Sequence, residues 1–209
     1  MNSILIFEPN IYLANDLKEY LSIDVSIATT EDEAMDMTYN NNFDIYIFSY
    51  IYGINLLKEL RDIDDDTYTI FLLDMYNIAQ IEKLYQVGDD FLVKPFFYEE
   101  LKIKTDYIIR KMYNTQSNII NYNELYYHLI TKQLFKKEEK IHLAPMETQL
   151  LEIFFKNIDK PIYKDIILQH LYHNEDKGDG SLRVYISKLK KVGFNITYNR
   201  TSGYTLNQK

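Results

Sequence analysis

Residues 89–96 read Asp89-Asp90-Phe91-Leu92-Val93-Lys94-Pro95-Phe96. Phe91–Val93 is an apolar run too short for a helix, and it suits a strand buried on both faces. Lys94-Pro95 taken alone is an ordinary turn. Its neighbours give it more meaning. Upstream lie four further short apolar runs, Ile4–Phe7, Val25–Ile27, Ile45–Phe48 and Thr69–Leu73. Helical spacing follows each of them, over Ile11–Leu21, from a capping-box signature at Thr30-Glu31-Asp32-Glu33 to about Asn40, over Asn55–Leu60 and over Ile78–Gln86. Downstream, Tyr98–Tyr113 reads as a longer amphipathic helix. Five strands alternating with five helices predict an α/β doubly wound parallel sheet. Such sheets place ligands at the carboxyl ends of their strands, which singles out Glu8, Pro9, Ser49, Asp74 and Lys94.

The chain has 209 residues, a length that suits two small domains. No apolar run approaches the ~20 residues of a membrane span. The start, MNSILIFEPN, lacks the basic flank and long apolar stretch of a signal peptide. There is no cysteine, which excludes disulfides and thiol chemistry and fits the reducing cytoplasm. The four histidines show no zinc-binding spacing, so no metal and no cofactor is expected. The net charge of −8 argues against nucleic acid, but it is unevenly spread. Residues 1–116 hold 21 Asp and Glu against 9 Lys and Arg, a net of −12; residues 117–209 hold 10 against 14, a net of +4. An acidic half joined to a basic half suggests two domains with different partners.

In the basic half, Asn114–Asn118 (NTQSN) is a polar linker, and residues 119–143 alternate as a small antiparallel sheet would. Pro145 and Glu147 ahead of Leu150, Leu151, Ile153 and Phe154 mark a helix start. A second helix is expected over Ile162–Leu171, a turn-rich loop over Asn174–Gly180, a third helix over Gly180–Lys191 and a hairpin over Ile196–Leu206. In the third helix Leu182, Tyr185, Ile186 and Leu189 share one face; Arg183, Ser187 and Lys190 lie on another, beside Lys188 and Lys191.

Residues 89–96 resemble the signature around the fifth strand of the receiver domain of two-component response regulators. The second half resembles the winged helix-turn-helix of the OmpR/PhoB family. Leu143-Ala144-Pro145-Met146-Glu147 is similar to that family's Leu-Thr-Pro-x-Glu motif, Ser181–Lys191 to its recognition helix, and Arg200-Thr201-Ser202-Gly203-Tyr204 to its wing. The domains so implied are a receiver-like domain over 1–113, a linker over 114–118 and a winged helix-turn-helix DNA-binding domain over 119–209.

The resemblance implies an acidic pair holding Mg²⁺, an acceptor Asp, a Thr or Ser, and a lysine whose following proline is cis. Glu8 and Lys94 match; Pro9, Ser49 and Asp74 depart, and only Tyr50-Ile51-Tyr52 separates Ser49 from Gly53, a shortened loop. A hydroxyl without a neighbouring base is a far weaker nucleophile than a carboxylate here. The site therefore reads as a degenerate phosphorylation site, with Asp74 more fitted to an ion pair with Lys94 than to phosphotransfer. No catalytic residue and no enzyme activity are expected.

For DNA, the resemblance implies contacts from Ser181, Arg183, Tyr185, Ser187, Lys188, Lys190, Lys191, Arg200 and Thr201. Arg183 is the candidate for reading guanine and Arg200 for the minor groove or a phosphate. Alternatively, the cations form a solvated face and Tyr185 belongs to the core. The resemblance also implies a homodimer through the receiver, where Glu82, Lys83, Asp90, Lys104 and Lys111 can pair, and RNA polymerase as a further partner. The expected function is transcription control without Asp phosphorylation. The alternative is a receiver serving as a protein-interaction module with the second domain as a weak DNA tether.

Overall fold

Each of the five short apolar runs of the acidic half becomes a strand of one parallel sheet in the computed structural model, which describes residues 3–21, 23–172 and 179–208. The strands are β1 (Ser3–Phe7), β2 (Asp24–Ala28), β3 (Ile45–Ser49), β4 (Tyr68–Leu73) and β5 (Asp90–Val93), in the order β2-β1-β3-β4-β5. Every residue of β1 and β3 is buried, as runs without polar alternation require. Helices α1 (Ile11–Leu21), α2 (Glu31–Asn40), α3 (Tyr50–Asp62), α4 (Ile78–Leu84) and α5 (Tyr98–Met112) follow the strands in turn. On one side of the sheet, Leu5, Phe7, Phe48 and Phe71 pack with Leu56, Leu57 and Leu60 of α3. Burying each such side chain stabilises the fold by ~1.5–3 kcal/mol.

Helix α2 starts where its capping box predicts. The Thr30 hydroxyl accepts the Glu33 amide at 3.2 Å, and Glu33 Oε2 accepts the Thr30 amide at 3.3 Å. Thr29 donates its amide and hydroxyl to the same carboxylate, which holds the Glu33 carboxyl below its usual range.

Helix α3 corrects the expectation of a loop over Tyr50-Ile51-Tyr52 and a helix confined to Asn55–Leu60. It begins at Tyr50, directly after β3, and runs to Asp62. Tyr50 is buried with its ring edge-on to Phe71 at 5.6 Å. Gly53 lies so close to the sheet that a Cβ there would stand 2.7 Å from Phe48 Cβ. Packing overrides the poor local propensity of a Tyr-Ile-Tyr-Gly stretch.

The contacts divide the chain into two compact units, Asn2–Ile109 and Arg110–Lys209. The second opens with a four-stranded antiparallel sheet of β6 (Ile119–Tyr122), β7 (Leu125–His128), β8 (Gln133–Lys136) and β9 (Glu139–Ile141). Helices α6 (Pro145–Lys156), α7 (Lys164–Tyr172) and α8 (Asp179–Val192) follow, then a hairpin of β10 (Ile196–Asn199) and β11 (Gly203–Leu206). Its core carries Tyr122, Tyr127, Phe155 and Phe194 in mutual ring contact. Helix α7 starts two residues later than its apolar spacing predicts. Ile162 instead exchanges two backbone hydrogen bonds with Tyr204, at 2.8 and 2.9 Å, and so joins the hairpin. Of the turn-rich loop expected over Asn174–Gly180, residues 174–178 lie outside the described residues, and Asp179 and Gly180 belong to α8.

Candidate functional site

The carboxyl end of the parallel sheet gathers Glu8, Pro9, Ser49, Asp74 and Lys94, because each ends or follows a strand. Lys94 continues β5 by donating its amide to the Leu73 carbonyl at 2.7 Å, and its peptide bond to Pro95 is cis. Its ammonium lies 2.7 Å from Glu8 Oε2 and 3.1 Å from Asp74 Oδ1. The two pairs are unequal. The Glu8 side chain is 5% exposed and that of Asp74 is 51% exposed. Removing one partner of a buried pair costs ~3–5 kcal/mol, whereas an exposed pair contributes ~0–1 kcal/mol. Glu8 is therefore the main anchor of Lys94. Sequence reasoning anticipated the Asp74 pair and missed the Glu8 pair, because the two residues stand 86 positions apart.

Mg²⁺, which a receiver of this type implies, does not fit these residues. Glu8 Oε2 is taken by Lys94, Glu8 Oε1 accepts the Asn10 amide at 3.1 Å, and Pro9 has no side-chain oxygen. Among the described residues no group of three His, Cys, Asp or Glu is placed to hold a metal. Ser49, at the position of the acceptor, is 1% exposed.

The second site is built on α8. Leu182, Ile186 and Leu189 are buried against the unit's core, so the helix must turn its other face outward. Ser181, Arg183, Ser187, Lys188, Lys190 and Lys191 are exposed, and Tyr185 is half-buried. Lys188 reaches back: its ammonium is 2.7 Å from Glu147 Oε2. Glu147 is buried, and the same oxygen accepts the Ala144 amide at 2.7 Å. The hairpin tip exposes Arg200 and Thr201. Asn199 Oδ1 accepts both the amide and the hydroxyl of Thr201, at 2.8 and 2.7 Å, which sets the turn. Between α8 and the hairpin runs a groove of about 460 Å³, lined among others by Arg183, Ser187, Lys190, Tyr198 and Lys164. Sequence reasoning missed Tyr198 and Lys164, which only the tertiary fold brings beside α8. Two exposed segments with cations on them and a groove between them can straddle a nucleic-acid backbone.

The residues expected to pair across a dimer, on and around α4, β5 and α5, do not all stand free. Asp90 and Lys104 pair with each other at 2.7 Å within the chain, while Glu82, Lys83 and Lys111 are exposed.

Residues 137–206 match the family described as "Transcriptional regulatory protein, C terminal". The transcriptional regulatory protein CiaR of Streptococcus pneumoniae is 24% identical over 220 residues, covering 99% of this chain and 98% of its own. Residues 137–206 thus match a domain of transcriptional regulators, and the chain as a whole is similar to response regulators of the OmpR/PhoB type. The cell cycle response regulator CtrA of Brucella ovis is 26% identical over 221 residues, covering 98% of this chain and 95% of its own. Among solved structures, a two-component response regulator from Clostridium difficile superposes with a TM-score of 0.51 at 26% identity, over 54% of this chain and 98% of that one. A protein described as a novel family of redox sensors in the streptococci, evolved from two-component response regulators, shares the fold of this chain over 100% of both chains at TM-score 0.50 and 18% identity. CiaR and CtrA are regulators rather than enzymes, and residues 137–206 of this chain fall in the winged-helix DNA-binding domain. No described helix is long and apolar enough to cross a membrane.

Proposed function

We propose that this regulator binds specific DNA sequences as a homodimer in the cytoplasm and acts without phosphorylation of an aspartate. The observation that carries the reading is the Lys94 ammonium held by Glu8 and Asp74 while a buried serine occupies the acceptor position. In phosphotransfer the lysine and a metal neutralise charge as it develops on the phosphoryl oxygens. Here the lysine is already neutralised, the metal ligands are spent and the acceptor is a hydroxyl without a base. The chain also lacks the cysteine that a thiol-based redox switch needs.

On this reading α8 enters the major groove, with Arg183 on a guanine edge and Lys190 and Lys191 on phosphates. Arg200 at the hairpin tip reaches the minor groove or a phosphate. Tyr85, Ile103 and Tyr107, exposed on and beside α4 and α5, supply the apolar part of a dimer face. Glu82, Lys83 and Lys111 stand at its polar edge, and RNA polymerase is the onward partner.

Acetyl phosphate with Mg²⁺ tests the claim. Intact-mass spectra are expected to show no stable adduct, and the dimer fraction and DNA affinity are expected to stay unchanged. A stable adduct abolished by substituting a single aspartate overturns it. A steep salt dependence with no preferred sequence would assign the DNA-binding unit to a non-specific tether instead.

A further inference from the structure

The second unit holds a further cavity that shares no lining residue with the groove beside α8. Its volume is about 550 Å³, within the ~300–1,000 Å³ range of small-molecule pockets. One wall is the polar linker after α5. The others come from the end of α6, the loop behind it, strand β6 and the residue Gln208 after β11, all within Arg110–Lys209. These walls are tied in place. Asp159 donates its amide to the Leu206 carbonyl at 2.9 Å, and its Oδ1 accepts the Gln208 amide at 2.7 Å. In the linker, Thr115 donates its amide to the Arg110 carbonyl at 3.0 Å, and Ser117 Oγ accepts the Ile119 amide at 3.2 Å. A pocket built in advance costs a ligand little ordering.

The lining selects the ligand's chemistry. Asn114, Gln116, Asn121 and Gln208 bring four side-chain carboxamides to it. Among the described residues, no hydrogen bond engages any of the four carboxamides. A carboxamide carries a donor and an acceptor side by side. Nucleobase edges carry the matching pattern, and Asn or Gln grips adenine through two such bonds. Ile119, Ile158 and the buried Phe155 supply apolar surface for the faces of a ring system. Lys156 and Lys160 add two cations against one acid, Asp159, whose Oδ1 is already engaged by Gln208. Ammonium groups bind phosphate as point charges. Carboxamides alone would suit a neutral sugar, and excess carboxylates an amine. The combination found here suits an anionic heterocycle.

We propose that this pocket binds a purine nucleoside monophosphate, with its base against the carboxamides and its phosphate on Lys156 and Lys160. The bound nucleotide bridges the linker and α6, and gives the chain a chemical input that does not pass through Lys94. The site stands whether or not the chain accepts a phosphoryl group.

Isothermal titration calorimetry of the full chain with AMP and GMP tests this, with adenosine and ribose 5-phosphate as the base-only and phosphate-only probes. At least one nucleotide is expected to bind at least tenfold more tightly than either fragment. Lys160→Gln is expected to raise the nucleotide Kd severalfold, and Gln116→Ala with Asn121→Ala at least tenfold. All three positions are exposed, so the fold is expected to persist, with an unchanged urea midpoint as the check. Absence of binding by both nucleotides overturns the proposal. Ribose 5-phosphate binding as tightly as a nucleotide also overturns it, because the pocket then takes phosphate alone. Unchanged nucleotide affinity in either variant places the ligand elsewhere and has the same consequence. DNA affinity of the variants, measured without nucleotide, is expected to equal that of the wild type. A parallel loss would assign the pocket to DNA and overturn the proposal.

Discussion

Arg183 and Lys188 sit five residues apart on one helix and have different fates. Arg183 is exposed and lines the groove beside the hairpin. Lys188 is spent on the buried carboxylate of Glu147. Arg183→Ala is expected to weaken specific binding by ~1–3 kcal/mol at a single base position, read by gel shift on a panel of singly substituted sites. A uniform loss at every site would make Arg183 a phosphate contact instead. The residue types themselves were legible: the sequence marked Glu8, Ser49, Asp74 and Lys94 as one constellation from strand ends alone. It did not disclose which carboxylate would hold the lysine. That choice depends on burial, and burial at Glu8 comes from strands far away in the chain.

At the scale of the element, helices with a chemical punctuation mark were readable and those without one were not. The α2 capping box and the Pro145–Glu147 start both lie where side chains locally satisfy backbone amides. Helix α3 has no such mark, because Tyr50 and Gly53 make sense only against Phe71 and Phe48. The early start given to the second helix of the basic half has the same cause: Ile162 looks helical by spacing and is claimed by Tyr204. Helix α6 keeps half of its cap. Glu147 accepts the Ala144 amide, but Ala144 offers no side-chain oxygen in return. Ala144 already has extended backbone, φ −69° and ψ 157°, as an N-cap requires. Ala144→Ser is therefore expected to stabilise the second unit by ~0.5–2 kcal/mol, measured as a rise in its urea midpoint. The hairpin depends on Gly203, at φ 90°, where a Cβ would overlap the Ile162 carbonyl.

The whole molecule carries 20 tyrosines, and several are buried deeply enough to shape its pH response. Burial, and to a smaller extent Asp90 and Asp89, push the Tyr68 hydroxyl up to about 12. Tyr46 and Tyr127 are also raised, first by burial and then by the carboxylates of Asp65 and Glu152 that accept their hydroxyls. A raised tyrosine keeps its proton longer in the folded chain than in the unfolded one. Below pH ~10 both states are protonated and stability is flat; above it the unfolded state ionises first and stability falls. Urea midpoints are expected to hold steady to pH ~10 and decline from there to pH ~12, with Tyr68→Phe reducing the slope. An unchanged midpoint through this window would show that these hydroxyls reach solvent. The two-unit plan was visible in the charge split, since the acidic stretch folds as the parallel sheet and the basic stretch carries α8. The lysine clasped by Glu8 and Asp74 also bears on time. On the function proposed above, a receiver that works without a transferred phosphoryl group keeps no covalent record of a past signal. Its response would decay as fast as its ligands dissociate or the protein itself is diluted, with no phosphatase needed to erase it.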